Sequence, residues 1–230
     1  IFGDDIYTTF APGSRLPADL KWETTEQIDI GTDIGILENR LSFTADYYIK
    51  NTTDLLNTVG LPSSLGYTTT IQNVGAVQNS GFELGIDGYP FSGTGFNWNV
   101  YANVAFNRNE VKELAGGKDV LTNSVGNINL NDYVGILRVG QPIGQFYGWL
   151  EDGYDDQGFI KYQDLDGDGE ITQDDKTYIG ESYPDMIFGL NSIMSYKDFQ
   201  LTFFIQGTTG NEIFNMGAAT AIDYGRGLNA

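Results

Sequence analysis

One alternation constrains this chain more than any other feature. Between Thr24 and Leu37 the even positions Ile28, Ile30, Ile34 and Ile36 are apolar, while Gln27, Asp29, Gly31, Asp33 and Gly35 hold the odd ones. After Glu38 and Asn39 the chain returns through Leu41, Phe43, Ala45, Tyr47 and Ile49 on one face. Arg40, Ser42, Thr44, Asp46, Tyr48 and Lys50 fall on the other. Successive Cβ atoms of a strand point to opposite faces, so a period of two predicts a β-hairpin with a greasy side and a wet side. What covers the first and what wets the second decides the function class.

The pattern recurs. Phe82, Leu84 and Ile86 lead into the turn Ser92-Gly93-Thr94-Gly95, and the return strand sets Phe96, Trp98, Val100, Ala102, Val104 and Phe106 against Asn97, Asn99, Tyr101, Asn103, Ala105 and Asn107. A row of amides on one face suits a water-filled or plugged barrel lumen, and a continuous apolar band on the other suits lipid. A third hairpin joins Met186, Phe188, Leu190, Met194 and Tyr196 to Phe199, Leu201, Phe203 and Ile205 across Lys197-Asp198. Tyr89, Phe91 and Phe96 crowd the second turn and Tyr196 and Phe199 the third, as interface girdles do. Short turns at 38–39, 92–95 and 197–198 alternate with connections at 51–77 and 108–185, which read as long and irregular. Outer-membrane barrels show that asymmetry, with short periplasmic turns and long extracellular loops. The expected fold is therefore all-β: an antiparallel up-and-down transmembrane β-barrel segment.

Composition removes the main competitors. A net charge of -19 excludes a nucleic-acid partner, whose phosphates need a basic surface, and favours cations. The chain has no Cys and no His, so thiol chemistry, imidazole metal sites and most catalytic triads are absent. No apolar run is long enough for a spanning helix. No other catalytic constellation emerges, and an enzyme is the least favoured class. Opening at Ile1 without a start methionine or signal-like segment, the chain reads as part of a longer polypeptide.

Twelve carboxylates lie between Glu151 and Asp185 against two lysines, Lys161 and Lys176. Within them, residues 164–175 match a calcium loop: Asp164, Asp166 and Asp168 at positions 1, 3 and 5, Gly169 at 6 and Ile171 at 8. Hard oxygen ligands around Ca²⁺ would relieve the repulsion among these groups. The predicted ligand set is Asp164, Asp166, Asp168, Glu170, Thr172 and Asp175, the last standing where a bidentate Glu is usual. A structural Ca²⁺ is expected, with no flanking helices.

Several segments together resemble the C-terminal barrel of SusC/RagA-type TonB-dependent outer-membrane transporters. They are Leu20-Lys21-Trp22-Glu23-Thr24, Tyr48-Ile49-Lys50, Asp54-Leu55-Leu56, Asn73-Val74-Gly75, Asn79-Ser80-Gly81-Phe82-Glu83 and Gly140-Gln141-Pro142-Ile143-Gly144, with Asp164 to Ile171, Tyr183-Pro184-Asp185 and Gly207 through Ile213. The resemblance implies a 22-stranded plugged barrel in the outer membrane of a Gram-negative bacterium, of which residues 1–230 are a part. It further implies import of oligosaccharides or peptides, a SusD-like surface lipoprotein as partner, and TonB acting through a part not included here. The alternative from the residues alone is a soluble or surface β-sandwich binding module with a dockerin-like calcium loop, whose apolar faces would pack on each other.

Overall fold

The computed structural model describes residues 14–15, 17, 19–60, 69–126 and 131–217. The first twenty residues, whose Gly3, Pro12, Gly13 and Pro17 read from the sequence as a loop, lie mostly outside them. The described residues form thirteen strands: β1 Ser14–Arg15, β2 Thr24–Ile36, β3 Leu41–Gly60, β4 Thr69–Ser92, β5 Phe96–Leu114, β6 Val120–Gly126, β7 Asn131–Leu137, β8 Gln145–Gly148, β9 Glu151–Tyr154, β10 Ile160–Tyr162, β11 Thr177–Glu181, β12 Met186–Tyr196 and β13 Phe199–Thr209. The large sheet runs β13-β12-β5-β4-β3-β2, with β1 pairing parallel to β4. A second sheet, β11-β8-β7-β6, and a ribbon of β9 with β10 fill the interval between β5 and β12.

Register shows that the alternation of each hairpin belongs to one shared surface. Ile30, Tyr47, Phe82, Phe106 and Met186 stand in a single cross-strand row, and Ile34, Phe43, Ile86, Ala102, Leu190 and Ile205 in another. The opposite face carries Asp33, Thr44, Gly85, Asn103 and Gln206 in one row and Ser42, Asp87, Tyr101 and Asn191 in the next. Nothing among the described residues covers the apolar face: Ile28 is 68% exposed, Leu84 39% and Phe203 47%. The sandwich alternative required that face to be buried, and it is bare.

The short turns do not all close at one row of the register. Ile36–Leu41 closes the first hairpin, and its row crosses to Gly88, Val100, Ser192 and Phe203, whereas the third hairpin closes four residues further on, at Tyr196–Phe199. The second hairpin closes level with the third, Phe96 pairing with Tyr196, so the turns fix no single lean, and a tilt of about 35° is taken from outer-membrane barrels in general. The apolar positions of β5, Phe96 to Phe106, then span about 27 Å along the barrel axis, close to the apolar band of an outer-membrane barrel. At the short-turn end Phe91 stacks on Trp98 with centroids 6.0 Å apart, and the Trp98 indole N–H donates to Ser192 Oγ at 2.9 Å. Phe96, Tyr196 and Phe199 share their face, so the expected aromatic crowding lies on the apolar band.

Within 51–77, which the sequence suggests to be an irregular connection, the described residues 51–60 and 69–77 are strand. β3 continues to Gly60 and β4 begins at Thr69, paired from Gly60–Thr69 down to Thr52–Val77 with bulges around Leu55. Likewise β5 runs on to Leu114, and parts of 115–185 form the second sheet and the ribbon. Alternation fades there because both faces have left the apolar band, while the backbone ladder continues regardless of side-chain polarity.

Candidate functional site

The wall and the layer beyond it are joined by named contacts. The described core is small and centred on their junction, with Val77, Val111, Leu114 and Ile136 buried. Val111 N–H donates to Gln141 O at 2.9 Å and Gly140 N–H to Val111 O at 2.8 Å, so the Gly140-Gln141-Pro142-Ile143-Gly144 segment is pinned along the top of β5. Its far end accepts Ser182 N–H at Gly144 O, 3.0 Å. On the other side, Glu212 N–H donates to Glu181 O and Glu181 N–H to Glu212 Oε2, tying the exit of β13 to the free edge of β11. Asn73 acts likewise at the base of β2: it accepts Lys21 N–H and donates to Lys21 O and Asp54 O, each within 2.9 Å, across the bulge where Asp54 takes φ +56°.

The acidic loop is preformed by its own backbone. Asp164 accepts the N–H groups of Gly167 (2.6 Å) and Gly169 (2.8 Å), Asp166 that of Asp168 (3.0 Å), and Asp168 that of Glu170 (2.7 Å). Gly167 and Gly169 lie at φ +77° and +89°, a region open to glycine, which lets the loop fold its carboxylates inward. The structure brings Asp164, Asp166 and Asp168 together, with ligand oxygens all within 4.8 Å of one another and exposed. The Asp168 N–H bond pulls the Asp166 carboxyl down, but desolvation and the charges of Asp168, Asp175 and Asp164 outweigh it and raise Asp166 above its ordinary value. A hard divalent cation fits that donor set.

Asp175 is placed differently from the other predicted ligands. It is fully buried, its Oδ1 accepting Leu165 N–H at 2.7 Å and its Oδ2 accepting Thr172 N–H at 2.7 Å. Hydrogen bonds from Thr172, Leu165 and Asp166 hold its carboxyl below the usual range despite burial. Thr172 and Asp175 form a reciprocal cap on the 3₁₀ turn Gln173–Asp175. Asp175 thus ties the two ends of the loop together from behind. Glu170 and Thr172 lie on the loop outside the three-carboxylate group.

Behind the loop sits a constellation the sequence pattern did not isolate. Trp149 donates its indole N–H to Thr172 O at 2.6 Å and packs 6.0 Å from the Tyr162 ring. The Lys176 ammonium lies 4.2 Å over the indole and pairs with Asp132, whose carboxyl it holds below the ordinary range. That Lys176 is one of only two lysines within a carboxylate-rich stretch was the one available signal.

The wet face of the wall carries the other candidate surface. Asp46, Glu83, Asp87, Tyr101 and Asn103 surround a dip of about 190 Å³ over Gly85. Tyr48 lies across Gly81, where an added Cβ would meet its ring at 2.4 Å, and reaches Asn107 Oδ1 at 2.8 Å. Carboxylates on β2 to β4 give way to amides on β5 and β13, interrupted on β12 and β13 by Ile187, Ile193 and Phe204.

Apolar on one face, mainly polar on the other and tightly turned at one end, the sheet has the build of a sector of an outer-membrane β-barrel wall. Residues 2–206 match the family described as TonB dependent receptor-like, beta-barrel. Over 225 residues the chain is 35% identical to TonB-dependent receptor P3 of Formosa agariphila, covering 91% of this chain and 22% of that protein. It is 31% identical over 221 residues to TonB-dependent receptor SusC of Bacteroides thetaiotaomicron, covering 93% of this chain and 22% of that one. The solved RagAB peptide importer in its open-open state superposes with a TM-score of 0.71 at 27% identity, over 84% of this chain and 21% of that chain. The chain therefore belongs to the TonB-dependent receptor β-barrel family, in its SusC/RagA-like branch, and its place is the outer membrane of a Gram-negative bacterium. It spans about a fifth of the length of these relatives.

Proposed function

We propose that this chain forms wall and extracellular rim of a TonB-dependent importer of oligosaccharides or peptides that works with a SusD-like surface lipoprotein. The observation that carries the reading is the single sorted surface across β2 to β5, β12 and β13, with a folded layer pinned to the end opposite the tight turns. Tight turns belong at the periplasmic side, so that layer and the upper strands of 51–77 stand outside the cell. The partner and cargo follow from the relatives named SusC and RagAB peptide importer. Transport, not catalysis, is the activity. The test is uptake by cells of the source organism: loss of a labelled oligosaccharide or peptide on deleting the gene, and on collapsing the proton gradient with an uncoupler, supports import. Uptake indifferent to both refutes it.

Calcium is part of the same proposal. Asp164, Asp166 and Asp168 would hold the ion, Glu170 and Thr172 would complete the shell, and Asp175 would keep the loop closed behind it. Its role is rigidity of the rim, since it would offset the mutual repulsion of the three carboxylates. Protease protection of 151–185 in the whole receptor should rise with Ca²⁺ and lose that response in Asp164→Asn/Asp168→Asn. A response unchanged in the double variant would refute the assignment.

A further inference from the structure

A cavity of about 360 Å³ opens in the outer layer, between β7, β8 and β11 and the segment after β13. Its walls are Tyr133, Phe146, Tyr147, Ile179, Ile213 and Phe214, with the Phe146 and Phe214 rings 6.3 Å apart. Its charged and amide groups are Lys176 and Asp132, beside the Trp149 indole, with Glu212 and Asn215. The Lys176 side chain is only 3% exposed. An ammonium carries three N–H donors. Asp132 takes one and the indole face another, and the third has no acceptor among the described residues. A buried donor left unpaired is costly, so the cavity as built is complementary to an acceptor oxygen brought in beside apolar surface.

We propose that this cavity is a binding site for an apolar peptide side chain, with the adjacent peptide carbonyl accepting from Lys176. The size suits one such side chain, and aromatic walls with a few convergent polar groups are the usual composition of a small-ligand site. A sugar ring is disfavoured because its several hydroxyls would be buried against rings with few partners. Ile213, 84% exposed, stands at the mouth and covers the entering side chain. The inference rests on the import reading and deepens it, since it gives the extracellular rim a direct contact with a peptide cargo.

The test uses the whole receptor in detergent and three probes: acetyl-Ala-Leu-Phe-Ala-amide, acetyl-Ala-Ser-Ser-Ala-amide and maltotetraose, each titrated calorimetrically. The Leu-Phe peptide is expected to bind saturably and at least about tenfold more tightly than the other two, which corresponds to 1.4 kcal/mol. Ile213→Asp, a change at an exposed position, should weaken it about tenfold with the barrel still folded by its heat-shifted electrophoretic mobility. Phe214→Ala should do the same from the opposite wall. Equal binding of the serine peptide or of maltotetraose, no saturable binding, or unchanged affinity in both variants overturns the site. Uptake is read separately in cells: absent binding with intact energy-dependent uptake removes the pocket alone, whereas uptake indifferent to the uncoupler removes the import reading.

Discussion

Ala102 and Asn103 are neighbours on β5 with opposite fates if the apolar face meets lipid. Ala102 lies between Ile86 and Leu190 in the cross-strand row, one residue from the centre of the band Phe96 to Phe106. At about 3.3 Å per residue and a 35° tilt, its Cα is about 3 Å from the midplane and that of Phe96 about 14 Å from it. An arginine at the midplane of a barrel costs about 2–4 kcal/mol and one near the interface about 0–1 kcal/mol. Ala102→Arg should therefore lose about 3 kcal/mol, Phe96→Arg under about 1, and Asn103→Arg, on the wet face, about nothing. The assay is urea unfolding of the whole receptor in phosphatidylcholine vesicles, followed by tryptophan fluorescence. Equal losses at Ala102 and Asn103, or a greater loss at Phe96 than at Ala102, would refute both the assignment of faces and the tilt.

Three further outcomes follow from local geometry. Gly210 has φ +87° and an added Cβ would lie 2.2 Å from Asp185 Oδ2, so Gly210→Ala should cost on the order of 2 kcal/mol and free the top of β12 and β13 to proteolysis; wild-type protection would count against the clash. Asn73→Ala removes the bonds to Lys21 and Asp54, an expected loss of about 1–3 kcal/mol, checked by faster amide exchange at Lys21 and Leu56, the latter held by Glu23. Asp175 has a depressed pKa in the folded loop, so its stabilising effect is fully present above the unfolded value near 3.8 and is lost as pH falls through the lower folded value. In chelator, exchange protection at Leu165 and Thr172 should not fall between pH 7 and 5 and should collapse only below about 3.8; Asp166, shifted upward, relieves repulsion on protonation and opposes any earlier loss. Protection that declines between pH 7 and 5 would contradict both assignments.

The wall was legible where its two faces meet different solvents. Ile28 to Ile36 and Phe96 to Phe106 alternate because one side needs hydrocarbon and the other water, so local order in the chain reports the environment directly. Upper β3 and β4, Thr52 to Gly60 and Thr69 to Val77, lost the signal because they have left the apolar band that imposes it, while the ladder continues. Asp164, Asp166 and Asp168 could be grouped from the sequence because they alternate within one short loop, and the structure brings their oxygens together.

Sequence by itself thus determined the strands of the band, their faces and the acidic loop, each a property of residues within a dozen positions of one another. Tertiary structure alone decided that Asp175 turns to backbone N–H groups, that Gly140 to Gly144 rivets the outer layer to β5, and that Lys176 meets Asp132 beside Trp149. Those contacts join residues as many as 44 positions apart, and nothing in local periodicity encodes them. Long-range packing of polar groups is set by where the sheets happen to cross, and only the folded chain fixes that.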